Sequence, residues 1–518
     1  MSLKYPIGNP VFPKIIQGNY EYVDKTSLVY QLAHSYEYVF LSRPRRFGKS
    51  LLVSTLESYF NGEKDLFKGL AMEQLETEWK QYPVLRFDLS GVTVENVSLL
   101  REYLSDRLSQ FEEKYGITSK RRGESVRFVN IIEAAYRQTG MPVVILIDEY
   151  DKPMLDTIGD EKLAEKVRTI MLNFYASIKA CTQYERFVFL TGITKFAQMN
   201  IFSQLNNLTD ISMDDEYAAI CGITEEEMLT RFSGGIDEMA MALKITRDEC
   251  INKLKTQYDG YHFSANSPDI YNPFSLIQAL AKKKISSYWF SSATPTFLIH
   301  EIKRYGTQPS EIGQKRAWQE DFDKPIQSMS EITPLLYQTG YLTIKNYDET
   351  EEQYLLDIPN REVRRGLMIS LLPITVGPKT SLALQLVTDM NRAFQNDDFD
   401  KVMQLLKTYL ATVPYTSNVK KDYEARYQSI LYVLFSLLCN YVQVEVHTPT
   451  GRVDMVLESP KNIYAIEMKL NASAQKAADQ IDLKDYSSRF ALTGKPVVRV
   501  GVNFSSRTRN VTSWEVRS

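Results

Sequence analysis

Cysteine and histidine are scarce in this chain of 518 residues, with four of each. Cys181, Cys221, Cys250 and Cys439 lie far apart and form no C-x-x-C pair, which argues against a disulfide framework and a structural zinc site. His34, His262, His300 and His447 are equally dispersed, so isolated structural roles suit them. No run of about 18 apolar residues occurs, and the N-terminus, M-S-L-K-Y-P-I-G, lacks a signal peptide's apolar core. No membrane partner is expected, and the expected compartment is the cytoplasm. Strong charge of either sign is also missing. The net charge of -3 gives no overall basic field, so any nucleic-acid binding needs local patches.

What is present is an ordinary globular composition, 44% hydrophobic and 24% charged, over a length that suggests about three domains. Within it, Ser42 to Ser50 reads S-R-P-R-R-F-G-K-S. The apolar run Tyr36 to Leu41 before it has the character of a buried strand, and Leu51, Leu52, Thr55, Leu56, Tyr59 and Phe60 after it have helical spacing. Strand, loop and helix are the setting of a phosphate-binding loop. Backbone N–H groups at a helix N-terminus face the anion, a lysine reaches the β- and γ-phosphates, and a hydroxyl helps to hold Mg²⁺. Gly48, Lys49 and Ser50 fill those places, with Arg46, Phe47 and Leu51 as further nucleotide-binding candidates. Arg43 stands where the general motif has glycine, so the alternative is a basic surface loop containing G-K-S by chance.

The run Met141-Pro-Val-Val-Ile-Leu-Ile-Asp148-Glu149 is a strand buried on both faces that ends in two acids, as expected at the ligand-binding edge of a parallel sheet. In this Walker-B pattern Asp148 supports the Mg²⁺ shell and Glu149 polarises the attacking water. A later strand, Arg186 to Leu190, ends in Thr191-Gly-Ile-Thr194-Lys195; Thr191 is either a γ-phosphate sensor or a satisfied turn hydroxyl.

The combination of Y-V-D-K-T (22 to 26), R-P-R-R-F-G-K-S, L-I-D-E-Y-D-K-P, L-T-G-I-T-K-F, Y-D-G-Y-H-F (258 to 263) and Y-N-P-F-S (271 to 275) resembles the predicted AAA-ATPase-like family of bacterial proteins. The resemblance covers roughly residues 5 to 300, and Arg43 departs from the general motif rather than from this family. It implies an ATP-binding P-loop module.

The C-terminal part carries a second constellation. A helix over 421 to 440 precedes three strands, Val442 to Val446, Arg452 to Leu457 and Ile463 to Leu470. The strand period of two puts Glu467 and Lys469 on one face. Asp454 and Glu467 on neighbouring strands suit a hard divalent ion, Mg²⁺ or Mn²⁺, and Lys469 suits a water beside a scissile phosphate. The segment resembles the PD-(D/E)XK nuclease superfamily, with Val453 in place of the usual proline. That resemblance implies a metal role for Glu424 on the preceding helix and a catalytic role for Gln480 on the helix after the core.

The expected fold is α/β: a P-loop core over 1–212, a helical subdomain over 213–300, a winged-helix-like linker over 301–375 and a restriction-endonuclease-like domain over 376–518. The expected function is ATP binding and hydrolysis coupled to metal-dependent cleavage of nucleic acid, DNA before RNA, in a chain whose sequence is compatible with a homo-oligomer. The competing reading is a nucleotide-gated binding protein without turnover.

Overall fold

The computed structural model describes residues 4–118, 123–195, 207–290, 296–322, 331–375, 380–412, 423–438, 442–448, 451–483 and 494–517. The chain divides into two compact units, Met1–Ala293 with Gln314–Glu362, and Thr294–Gly313 with Val363–Ser518.

The first unit is built on a five-stranded sheet: β1 (Tyr38–Ser42), β2 (Val84–Asp88), β3 (Val143–Asp148), β4 (Glu185–Gly192) and β5 (Thr209–Asp210), in the order β2-β3-β4-β1-β5. Every pairing is parallel. All six residues of β3 are buried, the pattern of a strand with helices over both faces. The covering helices start where the sequence supplies caps. Asn96 accepts from the Leu99 N–H to open Val97–Lys114, and Asp160 accepts from the Leu163 N–H to open Glu161–Ala180. The carboxyl ends of β1 and β3 therefore point their loops to the same edge of the sheet.

Beyond the sheet, a helical part packs Phe232, Met239, Leu254, Tyr271 and Leu276 into its own core. It includes a short antiparallel pair, β6 (Ile223–Thr224) with β7 (Ile270–Tyr271). A capping box forms between Thr224 and Glu227 in the run T-E-E-E. The unit closes with a three-stranded antiparallel sheet of β8 (Lys315–Ala317), β9 (Thr343–Asp348) and β10 (Gln353–Asp357). The stretch Thr333–Gln338 is a helix, and the strand after it starts only at Thr343. Pro334 sits in the first helical turn, where its missing N–H is no loss.

The second unit carries another five-stranded sheet in sequential order: β11 (Val442–Thr448), β12 (Gly451–Glu458), β13 (Ile463–Leu470), β14 (Val497–Ser505) and β15 (Asn510–Arg517). Only β13 and β14 run parallel, and the helix Ala474–Leu483 lies in the connection that parallel pairing requires. Helices Phe399–Leu410 and Tyr423–Leu438 complete the core, with the Phe399 ring stacked on Tyr464 at 4.7 Å. Among the described residues no helix is long and apolar enough to cross a membrane.

Candidate functional site

The loop after β1 turns sharply before the helix Lys49–Phe60, and two residues take left-handed backbone there: Arg46 at φ +69° and Gly48 at φ +96°. Gly48 adopts that conformation without strain, and it is the residue before the helix N-terminus. Lys49 is buried, and its ammonium donates to the carbonyl oxygens of Arg43 at 3.0 Å and Pro44 at 3.2 Å.

Arg43 is 1% exposed and is directed away from this loop's anion-facing side. Its guanidinium donates to the carbonyls of Ser42 at 2.9 Å, Ser212 at 2.7 Å and Tyr217 at 3.2 Å, and it lies 4.1 Å over the Phe263 ring. The residue that breaks the general motif is thus an internal clamp. Phe47 is buried edge-on against Tyr261 at 4.8 Å and Phe263 at 5.3 Å, so it anchors the loop from behind. Two more contacts brace the loop. The Trp289 indole N–H donates to the Arg45 carbonyl at 3.0 Å, and Gly340 lies so near Pro44 that a Cβ there would sit 2.6 Å from the proline Cβ.

The front of the loop opens on a cleft of about 430 Å³ lined by Arg45, Arg46, Lys49, Ser50, Leu51, Glu149 and Lys152. Asp148 at the end of β3 is fully buried, and neither of its carboxylate oxygens meets a hydrogen-bond donor in bonding geometry. Burial pushes its carboxyl up to about 6, against the opposing pull of the nearby Ser50 hydroxyl and Lys49 ammonium. Register pairs it with Asp88 of β2. A buried acid with two unpartnered oxygens near a hydroxyl is a donor set that fits a hard divalent cation. Glu149 holds φ +54°, a conformation that turns this residue out of the strand into the cleft lining. A narrower apolar cavity of about 90 Å³ adjoins the cleft through shared Pro6, Gly48 and Leu51, and Tyr22, Val23 and Phe47 also line it.

Thr191 lies in β4 and its hydroxyl donates to the Leu41 carbonyl at 2.7 Å, within the sheet. Two residues that sequence reasoning passed over organise this edge. Asp151 is fully buried and accepts from the backbone N–H groups of Ile193 at 3.0 Å and Thr194 at 2.7 Å and from the Thr194 hydroxyl at 2.7 Å. Gly192 makes room for it, since a Cβ there would lie 2.4 Å from the Asp151 Oδ1. A third acid at position 151, after the pair 148 and 149, was the available signal.

In the second unit, β12 and β13 pair with Met455 opposite Ile466. The same antiparallel register carried one residue further sets Asp454 across from Glu467, on one face of the sheet. Asp454 accepts from the Met468 N–H at 2.7 Å. Glu467 is 2% exposed, and its Oε1 accepts from the Lys469 ammonium at 3.4 Å and from the Gln480 side-chain amide. Gln480 reaches it because Gly501, the β14 partner of Glu467, leaves space for the helix Ala474–Leu483; a Cβ there would lie 2.1 Å from the Ala474 carbonyl oxygen. Asp454, Glu467, Lys469 and Gln480 therefore come together. Glu424 lies on the helix Tyr423–Leu438, and its side chain falls outside the described residues. Among the described residues no group of three or more His, Cys, Asp or Glu side chains stands in metal-binding array.

A family model described as "Predicted AAA-ATPase" matches residues 6–202, and a model of the PD-(D/E)XK nuclease superfamily matches residues 422–514. An "Uncharacterized protein in vnfD 5'region" of Azotobacter chroococcum mcd 1 is 33% identical over 526 residues, covering 99% of both chains. Both recognisable sites fall inside the matched segments, in the same order along one chain. The chain belongs to the family of predicted AAA-ATPase-like proteins that carry a C-terminal PD-(D/E)XK nuclease superfamily domain.

Proposed function

We propose that the first unit binds and hydrolyses ATP and that the second cleaves phosphodiester bonds in nucleic acid. The observation that carries the first half is the buried Asp148 carboxylate, whose oxygens lack a hydrogen-bond donor in bonding geometry, near Ser50 and Lys49 at a helix N-terminus. Ser50 and Asp148 hold Mg²⁺, which neutralises charge on the phosphates when bound. Lys49 exchanges its two loop carbonyls for phosphate oxygens, and Glu149 takes the proton from the attacking water. The adjoining apolar cavity receives the base. Because the Arg43 guanidinium clamps the carbonyls of Ser42, Ser212 and Tyr217, its departure from the general motif does not count against nucleotide binding.

In the second unit Asp454 and Glu467 hold a divalent cation, which activates water and polarises the phosphate when bound. Lys469 and Gln480 keep Glu467 oriented, and Lys469 faces the scissile group from the same wall of the sheet. The test is cleavage of single- and double-stranded DNA and RNA with Mg²⁺ or Mn²⁺, with and without ATP, in wild type and Lys469→Ala. Cleavage that the variant loses supports the reading. Unchanged cleavage in the variant, or none by wild type on any substrate, removes the nuclease half. Equilibrium binding of a fluorescent ATP analogue to wild type and Lys49→Ala judges the ATP half separately.

A further inference from the structure

The loop holds three arginines, and they divide sharply in their surroundings. Arg43 is buried on backbone carbonyls. Arg45 and Arg46 instead line the cleft, and among the described residues neither guanidinium meets a carboxylate or a hydrogen-bond acceptor. Arg46 occupies a left-handed position, φ +69°, that glycine would take without strain. A long cationic side chain at such a position points to a role for that side chain. Its guanidinium sits 4.9 Å over the Phe274 ring, which also lines the cleft, so it is steadied without being neutralised. Arg45 is steadied through its backbone, where the Trp289 indole N–H holds its carbonyl.

Two unpaired guanidiniums therefore line the cleft together with Lys49, the helix N-terminus and Glu149. Lys49 and the backbone N–H groups already answer the ground-state phosphates, so the arginines are surplus to simple phosphate binding. We infer that Arg45 and Arg46 supply, from the same chain that binds ATP, the positive charge that stabilises the γ-phosphoryl group during hydrolysis. This rests on the reading of the cleft as an ATP site. In the step, the water oxygen bonds to the γ-phosphorus as the bond from phosphorus to the β,γ-bridging oxygen breaks. The water proton passes to Glu149, and the bonding electron pair stays on the ADP oxygen. Charge growing on that bridging oxygen and on the equatorial oxygens is what a planar, permanently charged guanidinium is suited to meet. Because the charge comes in cis, turnover needs no arginine from a second copy.

The experiment uses the full chain and compares wild type with Arg46→Gly, Arg45→Gln and the double variant. Arg46→Gly relieves the left-handed backbone, so folding is not put at risk, and unfolding curves verify this for all three. The expected result is ATP affinity within about threefold of wild type and a kcat lowered at least about 100-fold in the double variant, in line with the loss of a transition-state arginine. Aluminium fluoride should trap ADP on wild type and not on the double variant. Wild-type specific activity should stay constant with protein concentration, and mixing the double variant with Lys49→Ala should restore nothing. Turnover by the double variant within threefold of wild type overturns the inference. So does restored activity in the mixture, since that places the arginines in trans, and so does a wild type that binds ATP without hydrolysing it. A wild type that binds no ATP removes the nucleotide reading itself, and the binding measurement tells that outcome from the others.

Discussion

The Asp151 carboxylate receives the backbone N–H of Thr194 at 2.7 Å, joining the loop after β3 to the end of β4. The same oxygen takes the Thr194 hydroxyl and the Ile193 N–H, so one acid fixes the stretch on which the neighbouring Thr191 sits. Asp151→Ala leaves two backbone donors buried without an acceptor. It should destabilise the first unit by roughly 3 kcal/mol, read from the denaturant midpoint at constant slope. A loss under about 0.5 kcal/mol would show that the network is incidental.

Restoring the motif glycine offers a counter-intuitive test. Arg43→Gly recreates the general P-loop pattern but strands the carbonyls of Ser212 and Tyr217 and empties the space over Phe263. The expected outcome is a loss of roughly 3 kcal/mol in unfolding free energy and weaker, not stronger, ATP-analogue binding. Tighter binding with unchanged stability would sink this account of Arg43.

Glu362 gives the first unit a pH signature. It is 1% exposed and accepts the Trp289 N–H at 2.8 Å as well as the Tyr288 N–H. Burial pushes its carboxyl up to about 7, although those hydrogen bonds pull the other way. The native acid then keeps its proton up to about pH 7, whereas the unfolded acid releases it near the ordinary glutamate value of 4.5. Between those values the native state binds more protons, so this group's contribution to stability is full at low pH and falls as pH rises through the window. Glu362→Gln should lose that dependence. Its stability relative to wild type should climb between pH 4.5 and 7, by on the order of 2 kcal/mol, in matched urea titrations. A difference that stays flat with pH would contradict the elevated carboxyl.

Gly501→Ala tests the second unit. The added methyl has no room against the Ala474 carbonyl, so the helix bearing Gln480 must move off the sheet. Nucleic-acid cleavage should fall at least about tenfold, because a shift of about 1 Å in a supporting element is enough to misplace a site. Nucleotide binding by the first unit should be untouched, and the paired assays separate a local effect from general unfolding.

The elements most legible in the sequence were those with strong periodicity or a double acid. The all-buried β3 with Asp148 and Glu149, the strand Ile463–Leu470 with Glu467 and Lys469, and the Thr224 capping box all announce themselves within ten residues. Arg43 did not, because its partners Ser212 and Tyr217 are 169 and 174 residues away and a buried guanidinium looks in sequence like any surface arginine. The helix at Thr333–Gln338 is not legible in sequence, because P-L-L-Y is short enough to suit either structure and tertiary packing decides it. Thr191 shows the same limit at a single atom: its position at a strand end was readable, while the carbonyl that accepts its hydrogen bond belongs to another strand.

The braces behind the phosphate loop have a consequence for how the protein comes into being. Trp289 meets Arg45 across 244 residues of chain, and Gly340 presses on Pro44 from further still. The loop is made long before the surfaces that hold it in shape, which lie in the later part of the same unit. For most of synthesis it lacks its backing, and contacts of such sequence separation form late and slowly. The backing of the loop is thus completed only after the chain has passed residue 340, well beyond the 6–202 stretch that the family model matches.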